Sequence, residues 1–203
     1  FFKTHNALCK INGHRFTNEK NTLAVIYIIR DPRNLVTSIA NHYQISADEA
    51  FNFIKDKNRG IIEKEGNRYT GFQPLFSWDL HLTSWAENTI YPTLVIRYED
   101  LILDANKTFK KVLDFIKNIT NSKSNIDQNK LNKSVENCKF DNLKKLEKEK
   151  GFAESMPDKK TGKKIAFFNL GEKNNFHNIL DKNLINEINH HFSYQLKKYK
   201  YIN

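Results

Sequence analysis

The stretch VIYIIRDPRNLVTSIANHY, Val25 to Tyr43, joins an apolar run, a charged knot with a proline, and a helical pattern. Val25 to Ile29 is short, continuously apolar and rich in β-branched side chains, which predicts a strand buried on both faces. Asp31 is suited to cap a helix whose first position is Pro32, and Leu35, Val36, Ile39 and Tyr43 then recur at helical spacing. Arg30 therefore stands where a parallel strand ends and a helix begins. That edge of an open α/β sheet is where ligands bind, and a helix start offers free N–H groups and a positive dipole end to an anion. The knot reads as half of a phosphate site. A plainer reading stands beside it: Arg30 and Arg33 simply pair with Asp31 and nearby carboxylates on a solvated loop.

Length and composition frame the choice. At 203 residues and 39% hydrophobic content, the chain can bury one sizeable core, so a single domain over 1–203 is expected. A net charge of +10 favours anionic ligands, although a general richness in Lys, Asn and Ile produces such charge without any selected partner. Cys9 and Cys138 show no paired metal spacing and neither require nor exclude a disulfide; a reducing compartment is the simpler expectation. The sequence starts at Phe1 and its only methionine is Met156, which points to a fragment or processed product. No signal peptide or membrane span is visible in it.

Other elements follow outward from the knot. FFKTHNALCK reads as a short strand ending at Lys3-Thr4-His5, followed by a turn at Asn12-Gly13. Ser46 with Glu49 makes a capping box for a helix from Ala47 to about Glu65. Trp78, Leu82 and Trp85 share a helical face and are assigned to the core. TLVIRYEDL gives a second buried strand, Thr93 to Arg97, and a helix with Phe109, Val112, Leu113 and Ile116 inward follows. Residues 120–134 read as a polar loop, KFDNLKKLEKEKGF as a short helix, and MPDKKTGKK as a mobile basic loop. The last helix carries Ile185, Ile188, Phe192, Leu196 and Tyr199 on one face, so its role is packing.

Four stretches in order, KTH, IIRDPRNLVTS, HLTSWAE with LVIRYEDL, and KFDNLKKLEKEKGF, closely resemble the nucleotide-dependent sulfotransferases of the cytosolic type. The resemblance covers nearly the whole chain and favours the phosphate reading of Arg30. It implies an α/β fold, a three-layer parallel sheet flanked by helices and related to the P-loop kinases. The implied reaction moves a sulfuryl group from 3′-phosphoadenosine 5′-phosphosulfate to an acceptor hydroxyl or amine, with no metal required. Arg30 and Ser38 match binders of the 3′-phosphate, a planar guanidinium fork and a hydroxyl donor. His5 matches the base that takes the acceptor proton, and Lys3, on the same side of an extended strand, would stabilise charge on the transferring group. Tyr98 and Phe140 correspond to contacts of adenine, with core packing as the alternative for both; Cys138 stands where a hydroxyl residue is common. His81 matches a family histidine and is given a structural role.

Two departures accompany the match. The family's glycine-containing loop, whose lysine holds the 5′-phosphosulfate, and the strand before it are expected upstream of KTH, and the sequence contains neither. Near the C-terminus the family has Arg-Lys-Gly followed by a glycine, an acid and a tryptophan. FFNLGEKNNFHN aligns there, so Asn169 and Leu170 replace two basic residues while Gly171 and Phe176 keep the outline. Lys163, Lys164 and Lys173 are candidate substitutes. The competing readings are a degenerate, non-catalytic nucleotide- or polyanion-binding member of the fold and, less well supported, a kinase-like phosphoryl transferase. The expected acceptor is a small molecule, with a glycan also compatible. Neither a specific nucleic-acid partner nor a membrane segment is expected, and a cytoplasmic location is.

Overall fold

A computed structural model describes residues 1–65 and 67–203, and the side chains of all of these but Lys64, Thr70 and Glu172. Asn12 and Gly13 both adopt positive φ, +49° and +87°, which closes the tight hairpin of β1 (Lys10–Ile11) and β2 (His14–Arg15). β3 (Val25–Ile29) runs into α1 (Pro32–Tyr43) as the sequence predicts: the Asp31 carboxylate caps the Arg33 N–H and Pro32 opens the helix. Gln44, in the left-handed region, ends it. α2 (Ala47–Lys55) carries the expected capping box, with Ser46 and Glu49 each bonding the other's backbone N–H.

That helix stops at Lys55, ten residues short of the expected end. The chain turns and forms β4 (Gly60–Glu65) and β5 (Arg68–Pro74), an antiparallel pair with Ile62 opposite Phe72. Gly60 is needed there, because the Phe72 ring lies where a Cβ would stand. Two adjacent isoleucines favour the pleated strand once a partner is in reach.

α3 (Trp78–Ala86) packs on both β3 and β6 (Thr93–Arg97), which pair in parallel from Val25↔Thr93 to Ile29↔Arg97. α4 (Tyr98–Leu103) and α5 (Ala105–Thr120) follow. Strand and helix alternate around a parallel pair, in keeping with the expected α/β class. β3 is not buried on both faces, however: Ile29 is enclosed while Ile28 is 56% exposed. Among the described residues β3 and β6 pair only with each other, and α3 packs on the pair. The predicted strand at Lys3–His5 does not form either, for want of a neighbour to bond. Phe109 is also exposed rather than inward.

The segment expected as loop to residue 134 is loop only to Asp127, whose carboxylate caps α6 (Gln128–Asn137) by accepting from the Lys130 N–H. α7 (Phe140–Lys150) is as predicted. The last helix divides into α8 (Lys182–His191) and α9 (Ser193–Lys198), yet its stripe of Ile188, Phe192 and Leu196 stays fully enclosed. These side chains meet Val36 of α1 and Ala50, Phe51 and Ile54 of α2 in the main core, and Trp78 lies against Phe192 at 4.9 Å between ring centres. Trp85 is buried in line with its core assignment. Burying one Leu- or Phe-sized side chain in this way contributes about 1.5–3 kcal/mol, so the C-terminal helices are what hold α1 in place. No helix among the described residues is long and apolar enough to cross a membrane.

Candidate functional site

The register of the parallel pair sets the site. Ile29 lies opposite Arg97, so the next residues, Arg30 and Tyr98, leave the two strands side by side. The Arg30 guanidinium stacks over the Tyr98 ring, 4.6 Å from its centre. Both line a cavity of about 1290 Å³ at the carboxyl edge of the strands. Ser38, two turns into α1, and Phe140 and Gly171 line it as well. All five residues assigned to nucleotide binding from the sequence thus line one cavity. Arg30 Nε is buried there without a hydrogen-bond partner among the described residues. A charged donor left so is costly unless something in the cavity accepts from it.

Arg33 takes the other course. Its Nε and Nη2 grip Asp31 at 2.9 and 2.6 Å, while Nη1 donates to Asn189 and Nη2 also to the Tyr201 carbonyl. Its guanidinium covers the Phe176 ring at 4.2 Å. The pairing with Asp31 follows the plainer sequence reading, but on a buried pair rather than a solvated loop. Glu99 completes this frame, accepting from the Asp31 N–H and the Tyr201 hydroxyl, each at 3.0 Å. Burial and then the Glu99 charge push the Tyr201 phenol well up. Arg97, bonded to Asp100 at 2.6 Å, holds that carboxyl below its ordinary value.

Another part of the lining is a turn bonded directly to α1, which the sequence reading did not anchor. Asn174 accepts from the buried Thr37 hydroxyl at 2.6 Å and donates to the Asn34 carbonyl at 3.1 Å, and Asn34 Oδ1 accepts from the Phe176 N–H. The stripe Asn34, Thr37, Ser38, Asn41 is the local signal that could have found this latch, because those positions share one helical face. Gly171 has φ +54°, and a Cβ there would stand 2.7 Å from the Phe140 ring. Glu147 fixes the segment before the turn through the Phe167 and Phe168 N–H groups at 2.7 and 3.0 Å, and also accepts from the Ser155 hydroxyl. Burial pushes its carboxyl up, but these donors together hold it below its usual value. Asn169 and Leu170, which the resemblance sets where two basic residues are expected, line the cavity. Lys173 lines it too, whereas Lys163 and Lys164 do not. Cys138 is on the wall as a free thiol.

Lys3 and His5 lie outside that wall. Lys3 is exposed and ion-paired with Glu154 at 3.2 Å; His5 is exposed. Three side chains on one face of α3 hold the backbone around them. His81 Nε2 donates to the His5 carbonyl at 3.0 Å, Trp85 Nε1 to the Asn6 carbonyl at 2.8 Å, and Ser84 Oγ accepts from the Leu8 N–H at 3.0 Å. A carbonyl only accepts, so the neutral His81 ring carries its proton on Nε2 and takes the Tyr27 hydroxyl proton at Nδ1, 2.8 Å away. Burial holds the His81 pKa down, against the bond to His5. The structural role expected for His81 is therefore to hold the segment bearing His5.

The family model described as a sulfotransferase domain matches residues 1–200. No curated protein sequence matches the chain. Among solved structures, the mouse sulfotransferase SULT7A1 complexed with PAP is similar, with a TM-score of 0.58 and 15% sequence identity over 86% of this chain and 58% of that one. The chain thus spans under two thirds of that relative, whose likeness bears on the fold alone. The family match, running over nearly every residue, is what decides membership: the chain belongs to the sulfotransferase domain family.

Proposed function

We propose that this protein transfers a sulfuryl group from 3′-phosphoadenosine 5′-phosphosulfate to a hydroxyl or amine of a small acceptor, a glycan being the larger alternative. The observation that carries the reading is the buried, unpartnered Nε of Arg30 on a cavity wall shared with Ser38, Tyr98, Phe140 and Gly171. That donor fits a phosphate, and the aromatic faces of Tyr98 and Phe140 suit a purine. The mouse relative is complexed with PAP, the desulfated nucleotide, which supports the same choice.

When bound, the nucleotide supplies an activated sulfuryl group. Arg30 and Ser38 hold the 3′-phosphate, which is what distinguishes this nucleotide from a plain adenosine phosphate. A charge-assisted bond of this kind contributes about 1.5–3 kcal/mol. Phe140, kept in place by the space at Gly171, sets the plane of the base. His5 accepts the acceptor's proton on a ring nitrogen, the proton-transfer role for which an imidazole is suited. Lys3 leaves Glu154, an exposed pair worth about 1 kcal/mol or less, to stabilise the transferring group. A second reading, nucleotide binding without turnover, is favoured by Asn169 and Leu170 standing where basic donors are expected.

Calorimetric titration with 3′-phosphoadenosine 5′-phosphate and with adenosine 5′-phosphate tests the site. A preference for the 3′-phosphorylated nucleotide that Arg30→Ala removes is the expected result; equal affinities contradict it. His5→Ala should abolish turnover and spare that binding. Wild-type turnover in this variant would remove His5 from the mechanism.

A further inference from the structure

We infer that Lys173 supplies a charge contact to the 3′-phosphate in place of the two basic residues missing at Asn169 and Leu170, an inference that rests on the nucleotide reading of the cavity. Four described cations of Lys or Arg type line that cavity: Arg30, Lys139, Lys144 and Lys173. Two of the lysines are engaged elsewhere. Lys139 pairs with Glu136 at 2.7 Å, and Lys144 lies close enough to Glu147 to help hold its carboxyl down. The Lys173 ammonium has no hydrogen-bond or ion-pair partner among the described residues.

Its backbone, by contrast, is fixed. Lys173 N–H donates to the Leu170 carbonyl and Asn174 N–H to the Gly171 carbonyl, which closes a single 3₁₀ turn. The Asn174 side chain then ties that turn to Asn34 and Thr37 of α1, one residue from Ser38. A Cβ at Gly171 would strike Phe140, so the turn is seated against the ring assigned to the base. A free ammonium on an anchored turn, lining the cavity that Arg30 and Ser38 also line, offers a phosphomonoester dianion a mobile point charge in addition to a planar fork. The position two residues beyond Gly171 thereby recovers part of the charge that Asn169 and Leu170 forfeit. Asn169 leaves only a neutral amide there, and Leu170 leaves none.

The test compares 3′-phosphoadenosine 5′-phosphate with adenosine 5′-phosphate by calorimetry on wild type, Lys173→Met, Lys173→Arg, Lys144→Met and the double variant Lys163→Met/Lys164→Met. Because the lysine is exposed, Lys173→Met should fold, and circular dichroism and melting temperature check this. The expected result is a loss of about tenfold for the 3′-phosphorylated nucleotide alone, equivalent to about 1.4 kcal/mol. Lys173→Arg should restore it, and the other lysine variants should bind as wild type. If wild type prefers the 3′-phosphate and Arg30→Ala removes that preference while Lys173→Met keeps it, this inference falls and the nucleotide site stands. An equal loss for both nucleotides also overturns the inference, since the contact would then not be to the 3′-phosphate. If wild type itself shows no preference, the nucleotide reading falls and takes the inference with it.

Discussion

Arg30 and Arg33 stand three residues apart in one charged knot, with the same side chain and opposite fates. Arg33 is enclosed, bidentate to Asp31 and bonded onward to Asn189 and Tyr201, so every direction of its fork is answered from within the chain. Arg30 faces a cavity with a buried Nε that has no hydrogen-bond partner among the described residues. The difference comes from position. Arg30 precedes the helix and follows the strand edge, while Arg33 sits inside the first turn of α1, against the C-terminal helices. A satisfied arginine holds a fold together, and an unsatisfied one awaits a ligand.

The largest expected effect breaks the Arg33 side of this contrast. Arg33→Ala leaves the Asp31 carboxylate buried beside its own helix start without its partner and should cost about 3–5 kcal/mol of stability. Chemical denaturation measures it. Arg30→Ala, which breaks no ion pair or hydrogen bond among the described residues, should destabilise the chain far less, while removing the nucleotide preference. Similar destabilisation by the two substitutions would erase the distinction drawn between them.

A smaller effect sharpens the boundary of the Arg30 cavity. Gly171→Ala places a Cβ at φ +54° and 2.7 Å from the Phe140 ring, which should cost about 1–3 kcal/mol and weaken nucleotide binding as the ring is displaced. A melting curve and a titration on the same sample separate the two consequences. Unchanged affinity would show that Phe140 does not set the plane of the base.

The contrast between the arginines was open in the sequence, and the reasons are physical. Local devices could be read: the Asp31 cap with Pro32, the Ser46–Glu49 box and the Asn12–Gly13 turn each depend on neighbours within a few residues. The β4–β5 hairpin could not, because the helical pattern of Ala50, Phe51 and Ile54 runs into an ambiguous Ile61–Ile62 pair whose partner strand lies beyond the turn. Which arginine is answered from within depends on Asn189 and Tyr201, more than 150 residues away. The Asn34–Asn174 latch is equally remote in sequence, and amides give no spacing rule that announces a pair. The five residues that line the Arg30 cavity were named because the resemblance supplied them, Lys3 and His5 were named the same way, and the structure holds their segment by α3 outside the lining of that cavity.

The smallest expected effect concerns that segment. Burial keeps His81 and His42 below the ordinary histidine value of 6.5 in the folded chain. Below about pH 6.5 the unfolded state therefore binds more protons than the folded one, and stability falls as pH falls through that window. The carboxylates of Asp100 and Glu147, also held below their ordinary values, contribute only further down, where those values of 3.8 and 4.5 are reached. Melting temperatures at pH 7, 6 and 5 should decline more steeply for wild type than for His81→Gln. Parallel slopes would mean that His81 does not bind its proton differently in the two states.

The most direct measurement is an experimental structure of the protein with 3′-phosphoadenosine 5′-phosphate bound. The 3′-phosphate should lie within hydrogen-bond distance of Arg30 Nε and the Ser38 hydroxyl, with the adenine against Phe140. A nucleotide seated elsewhere, or a 3′-phosphate left in solvent while Arg30 stays unanswered, would contradict the assignment of the charged knot.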